Sequence, residues 1–330
     1  MEGPHVRSTV RRRVGQRHRP VLSGLVALAL ISMLAATAAI AARPAAVEAQ
    51  DDAFETAAIT PEDALVYVGF TLDTESAQWQ QGAALLERAG FGATLDDLQQ
   101  DLLEDAGPGG GAILQEIFLG GEGALVLTDA ALESAEGLDV TGITGGGDIL
   151  DEATPDAASG APEATGVAFI LQPRSPGTAF LALQDAVQEQ AVEEGAEVVT
   201  SEYQGVTIQF APGGEVDEDN FPVALAQLDD LILLGGSPAD LESIIDTSQG
   251  TTPPLSEFAP FTDVRAELGT EEFLLSAFVN GVAATEVGAD SANLGVFAES
   301  AGTDQYNGIV VRADTAGFRM DTVTLPAEGA

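Results

Sequence analysis

Between Leu65 and Leu72 the chain reads LVYVGFTL, eight residues without a charge, and no other stretch limits the possible folds so tightly. At period two, Val66, Val68, Phe70 and Leu72 fall on one face, and Leu65, Tyr67, Gly69 and Thr71 on the other. Both faces are mostly apolar. Such a strand must be covered on both sides, which predicts a position in the interior of a sheet. A polar turn follows, in which Asp73 or Thr74 can cap a helix by accepting from its free N–H groups. Trp79, Ala83 and Leu86 then recur at helical spacing, and Gly90 supplies a left-handed stop. The plan repeats further on. Val167–Leu171 (VAFIL) predicts a strand, and Phe180, Leu183, Val187 and Ala191 stripe a helix that stops at Gly195.

Around these two units the remaining elements follow from local chemistry. A helix is predicted after Thr94, with a further helical turn near 112–118 and a short buried strand at Ala124–Thr128. Residues 129–165 hold nine acidic residues, no basic ones and three consecutive glycines; beyond a helical piece at 130–135 they read as a flexible insertion between two half-repeats, 61–128 and 166–330. In the second half, Glu197–Tyr203 and Val206–Phe210 predict a hairpin across Gln204-Gly205, and Val223–Leu228 and Leu231–Leu234 a second across Asp229-Asp230. Ser237-Pro238-Ala239-Asp240 has the form of a helix start, with Ser as cap, Pro at N1 and a carboxylate at N3. A helix over Ser256–Leu268, a strand over Phe273–Val279 and a terminal hairpin of Gly308–Asp314 with Gly317–Leu325 complete the chain. The sum is an α+β fold: an antiparallel or mixed sheet covered by helices, in one domain over 61–330.

The first 49 residues are not part of that fold. Six Arg precede Val21–Ile40, twenty residues without a charge, and the arginines keep the N-terminus cytoplasmic. Two readings fit. Cleavage after Val47-Glu48-Ala49 would release a body starting at Gln50, whereas retention would leave an anchor over residues 21–42, since twenty apolar residues just span a bilayer. Either places the body outside the cytoplasm, with Gln50–Thr60 as a tether. The chain has no Cys, so neither a lipid-modified cysteine nor a disulfide holds it.

Three spaced patterns resemble a known family. Pro61, Asp63, Tyr67 and Val68 open the first strand, Tyr203, Gly205, Val206 and Ile208 form a hairpin, and Asp229–Leu241 leads through Ser237-Pro238 into a helix. In these, and in its N-terminal export or anchor segment, the chain is similar to the bacterial domain-of-unknown-function family 3352. The resemblance covers nearly the whole body; its motifs are structural, and it implies a fold without an activity.

Chemistry is restricted by what the body lacks. Past Ala49 there is no His, Cys or Lys, and five Arg face 51 acidic residues, a formal charge of −46. Ser-His-Asp and Cys-His nucleophiles, lysine Schiff bases and zinc held by His or Cys are therefore excluded, and so strong a negative field repels nucleic acid and anionic lipid. No catalytic, cofactor-binding or metal-ligating residue is predicted. A non-enzymatic binding or structural role with an envelope or extracellular protein partner is expected. The alternatives are a carboxylate-dependent hydrolase of envelope glycans and a calcium-dependent binder; for the latter, Glu215–Asn220 is the densest acidic run, but it lacks an EF-hand's alternating ligands and reads as a solvated loop. Arg174 and Arg265 are expected to pair with nearby carboxylates.

Overall fold

The structure is a computed structural model and describes residues 55–71, 73–90, 120–134, 165–211, 224–269, 271–286 and 305–327. Among these residues ten strands form one antiparallel sheet in the order β10-β9-β8-β1-β2-β3-β7-β6-β5-β4. They are β1 (Val66–Thr71), β2 (Glu122–Leu127), β3 (Val167–Leu171), β4 (Val199–Tyr203), β5 (Val206–Phe210), β6 (Ala224–Leu228), β7 (Leu231–Gly235), β8 (Leu275–Asn280), β9 (Gln305–Ala313) and β10 (Phe318–Pro326). The sheet is antiparallel throughout the described residues, and β1 and β2 lie side by side between β8 and β3, flanked on both sides by strands from residues 166–330. The predicted α+β class and antiparallel sheet are therefore observed.

The strand expected to be interior is interior. β1 lies between β2 and β8, with Tyr67 opposite Val126 on one side and Phe278 on the other. Its two faces feed different cores. Tyr67 joins Ala124, Ile170, Leu233, Ile208 and Phe278 beneath α4 (Pro238–Ser248) and α5 (Ala259–Leu268). Val66 and Val68 join Ala277, Val279, Val311 and Ala284 of α6 (Gly281–Glu286). On that second face Phe169, Leu171, Ile232 and Leu234 pack under Ala179, Leu183 and Val187 of α3 (Pro176–Glu194). Each of these large side chains contributes about 1.5–3 kcal/mol by leaving water.

Local signals were obeyed where side chains met backbone directly. Ser237 accepts from Asp240 N while Asp240 reaches back to Ser237 N, the reciprocal cap predicted from sequence. Gly195 closes α3 with φ 72°, and Gly90 follows α1 (Ala77–Arg88) with φ 87°. At the β4–β5 turn Gln204 and Gly205 both take positive φ, 49° and 83°, as a two-residue hairpin with right-handed twist demands. The short α2 (Asp129–Ser134) follows β2.

Three expectations are corrected. The cap of α1 is Ser76, whose hydroxyl accepts from Trp79 N; Asp73 instead closes its own turn onto Glu75 N. The residue of α1 that is buried is Gly82, not Ala83: without a Cβ it approaches Leu274, Phe318 and Ala313, a close contact that periodicity of apolar side chains does not reveal. Residues 55–60 are not a tether. Thr56 and Ala57 in the 3-10 turn Thr56–Ala58, and Thr60 after it, are fully buried. The helices expected after Thr94 and near 112–118, most of the 129–165 insertion, the Glu215–Asn220 run and the whole N-terminal segment lie outside the described residues.

Candidate functional site

A buried polar cluster lies on the face of the sheet that α4 and α5 cover. Its scaffold is the β1–β2 register. Thr71 pairs with Glu122 and Tyr67 with Val126, so period two puts Tyr67 and Glu122 on one face. The intervening position on that face is Gly69, where an added Cβ would lie 2.8 Å from the Tyr67 hydroxyl oxygen. Glycine there leaves room for the phenol to lie along the strand towards Glu122. Thr56 descends onto the pair from the 3-10 turn. Its hydroxyl lies 2.7 Å from Tyr67 Oη and donates to Glu122 Oε1; Tyr67 Oη donates to the same oxygen at 3.3 Å, and Glu55 N–H donates to Oε2 at 3.2 Å. Gln172, next along β3, reaches Glu55 Oε2 at 2.5 Å.

Arg265 completes the cluster from α5. Its guanidinium sits 5.5 Å from the centre of the Phe273 ring, within electrostatic reach of Tyr67 and Glu122. Burial sets the proton affinities here. It raises Tyr67 well above the usual phenol value, helped by the Glu122 charge. It raises Glu122 too, against the opposing bonds from Thr56, Tyr67 and the Glu55 N–H. It lowers Arg265 to about 10, with Tyr67 and Glu122 pulling the other way. Phe261 meets Tyr67 edge-on at 5.9 Å and Phe278 at 5.3 Å, which closes the cluster on the helix side. A carboxyl with raised proton affinity is a possible acid, but three donors already occupy this one. What the arrangement does is fasten the start of the body to the sheet.

Elsewhere, buried polar groups also join elements. Asp240 accepts from Thr165 Oγ1 at 2.8 Å, Gly166 N at 2.8 Å and Ser237 N at 2.7 Å, so one carboxylate fixes the entry to β3 and the start of α4. Tyr203 Oη donates to Asp246 and ties the β4–β5 hairpin to the end of α4; that bond raises the Tyr203 pKa. Arg312 of β9 donates to Leu268 O and to Asp321 Oδ2, both at 3.0 Å, which receives the end of α5. Among the described residues no group of three or more His, Cys, Asp or Glu is arranged to hold a metal.

Of the residues singled out from sequence, Arg174 pairs with Glu75 at 2.9 Å on an exposed surface, as expected. Arg265 lies in the Tyr67 cluster, within electrostatic reach of the Glu122 carboxylate. Tyr67 is wholly buried, as its pattern required, but its hydroxyl carries an interaction that the pattern does not encode. Thr56 was missed because three residues of 3-10 turn leave no periodicity; the only cue is the Thr56, Thr60, Pro61 spacing just before the strand.

The motif residues thus serve turns, caps and clamps. A model of the family described as "Protein of unknown function (DUF3352)" matches residues 21–329. The chain belongs to the DUF3352 family. The match takes in all ten strands of the sheet and starts at the first residue of the uncharged N-terminal run. No curated protein and no solved structure matches the chain. DUF3352 membership therefore agrees with the structural motifs at Pro61, Tyr203 and Ser237, and it brings no activity with it.

Proposed function

We propose that this DUF3352 chain is an exported protein that works outside the cytoplasm by binding or scaffolding a protein partner, without catalysis of its own. The observation that carries the reading is the residue inventory on either side of Ala49: six Arg and an uncharged twenty-residue run before it, and a body without His, Cys or Lys after it. The DUF3352 match supports it by including the uncharged run. The Glu122 cluster supports it as well, because its strongest proton-exchanging groups are engaged in fastening one segment to another.

The test combines location with activity. Protease added to intact cells, or to cells stripped of their wall, should degrade the body while a cytoplasmic control survives. Chemical cross-linking before lysis should retain a protein partner. Protection of the body until the plasma membrane is opened would refute export. Turnover of a panel of envelope glycans, abolished by a single Asp or Glu substitution, would establish the hydrolase instead. Thermal unfolding with EDTA, with millimolar calcium and with sodium chloride at matched ionic strength separates a specific calcium site from screening, because only a ligand of the folded state raises stability beyond the salt control.

A further inference from the structure

Among the described residues the sheet has two unpaired ends, and they differ. At one, β4 runs five residues, VTSEY, and carries Glu202. At the other, β10 runs nine residues, Phe318–Pro326, paired with β9 at every position without a bulge. Natural edges are usually blunted by short length, bulges, proline or charge, since unpaired N–H and C=O groups recruit further strands. Among its first eight residues β10 has none of the first three, and its only charges, Arg319 and Asp321, cancel. In a body of charge −46 it is a neutral strip.

The direction of its backbone groups follows from the neighbouring ladders. Val311 accepts through its carbonyl from Leu274 N, and Ala313 N donates to Gln78, so these two residues of β9 turn their peptide groups away from β10. Their partners Met320 and Phe318, and by alternation Thr322 and Thr324, therefore turn their N–H and C=O groups outward. Met320 is 44% exposed. Among the described residues no strand pairs with this edge.

We propose that the β10 edge pairs antiparallel with β10 of a second copy of this chain, about a two-fold axis at Met320. This register satisfies the outward groups of Phe318, Met320 and Thr322 reciprocally and sets Arg319 of each copy opposite Asp321 of the other. Moving the axis by one residue, to Asp321, sets the two Asp321 carboxylates face to face. Moving it to Thr322 leaves each charge opposite Leu325 or Val323. Opposite charges directly across a strand pair attract and like charges repel, so charge selects the Met320 axis. The same reasoning disfavours β4, where Glu202 would enter the pairing uncompensated by any basic residue of its own strand.

Sedimentation velocity of the full chain in mild detergent, at about 0.5 M sodium chloride to screen the net charge, reads the outcome. The wild type is expected to run as a dimer. Met320→Glu sets two carboxylates across the axis, and Thr322→Pro removes an outward donor that the β9 ladder does not use. Each should weaken dimerisation at least about tenfold with an unchanged circular dichroism spectrum. As the chain has no cysteine, Met320→Cys supplies a unique cross-link, because residues opposite each other in an antiparallel pair lie within disulfide reach. Mild oxidation should join this variant, and Thr200→Cys in β4 should stay unjoined. A monomeric wild type, a dimer unaffected by both edge substitutions, or equal cross-linking at positions 200 and 320 would overturn the proposal. Should either edge variant fail to fold, the two cysteine variants decide the matter alone.

Discussion

Thr56→Val isolates the fastening of the N-terminal turn to the sheet. Valine matches threonine in shape, so the fully buried site is neither emptied nor overfilled. What is lost is a hydroxyl that donates to Glu122 and contacts Tyr67 Oη at 2.7 Å. A bond to a charged acceptor is worth about 1.5–3 kcal/mol and a neutral one about 1 kcal/mol. The remaining Tyr67 bond to Glu122, and the extra methyl, recover part of this. The expected cost is about 2 kcal/mol with Glu122 ionised and about 1 kcal/mol with it protonated. The pH dependence has a definite sign. Burial raises Glu122 in the folded state, so its contribution is fully present below the unfolded value and is lost as pH rises through the folded one. The Thr56 bond opposes that rise; without it the folded pKa climbs further, and more stability is lost on ionisation. Urea unfolding of wild type and variant, followed by the fluorescence of Trp79, the single tryptophan, at pH of about 4 and about 8 reads both quantities. A stability gap that is flat, or that narrows with rising pH, would refute the assignment of Thr56 as the donor that holds ionised Glu122.

Three further outcomes follow from the geometry. Asp240→Ala should cost about 3–4 kcal/mol in urea unfolding, because it leaves the Gly166 and Ser237 N–H groups buried and unpaired and takes away the N3 half of the capping box. Gly308→Ala places a Cβ 2.1 Å from Val264 Cγ1 between β9 and α5, and should cost about 2–3 kcal/mol; recovery of soluble protein in the Gly308→Ala, Val264→Ala double variant would confirm the contact. Arg174→Ala breaks an exposed pair and should change the unfolding midpoint by no more than about 0.5 kcal/mol of stability permits.

Sequence patterns identified the elements better than their assembly. Every strand predicted within the described residues is present, because alternation and two-residue turns are local properties of the chain. The strand order is not local. β8 pairs with β1 across two hundred residues because both present apolar side chains to both layers, a property that β3 and β7 share equally. Nothing in the pattern of one such strand chooses its neighbour. The candidate site was legible only in half. Tyr67 was evident as a core residue, whereas Thr56, Glu122 and Arg265 come from three other segments; the first two meet it through single polar atoms and the third acts on it through charge. Gly82 was hidden for the opposite reason: it contributes by having no side chain at all.

The pairing of β2 with β3 sets the terms on which this protein can change length. Leu127 faces Val167 in the ladder, and Thr128 N–H donates to Gly166 O at 2.9 Å, so the chain leaves the sheet and returns to it at adjacent points. For a flexible connection between fixed neighbouring ends, each doubling of length costs only about 0.6 kcal/mol. The register of β2 with β3 is thus held by the ladder itself, whatever length of chain joins the two strands. A foreign domain spliced between them, with its own termini close together, would ride on the sheet as a guest and leave that register in place.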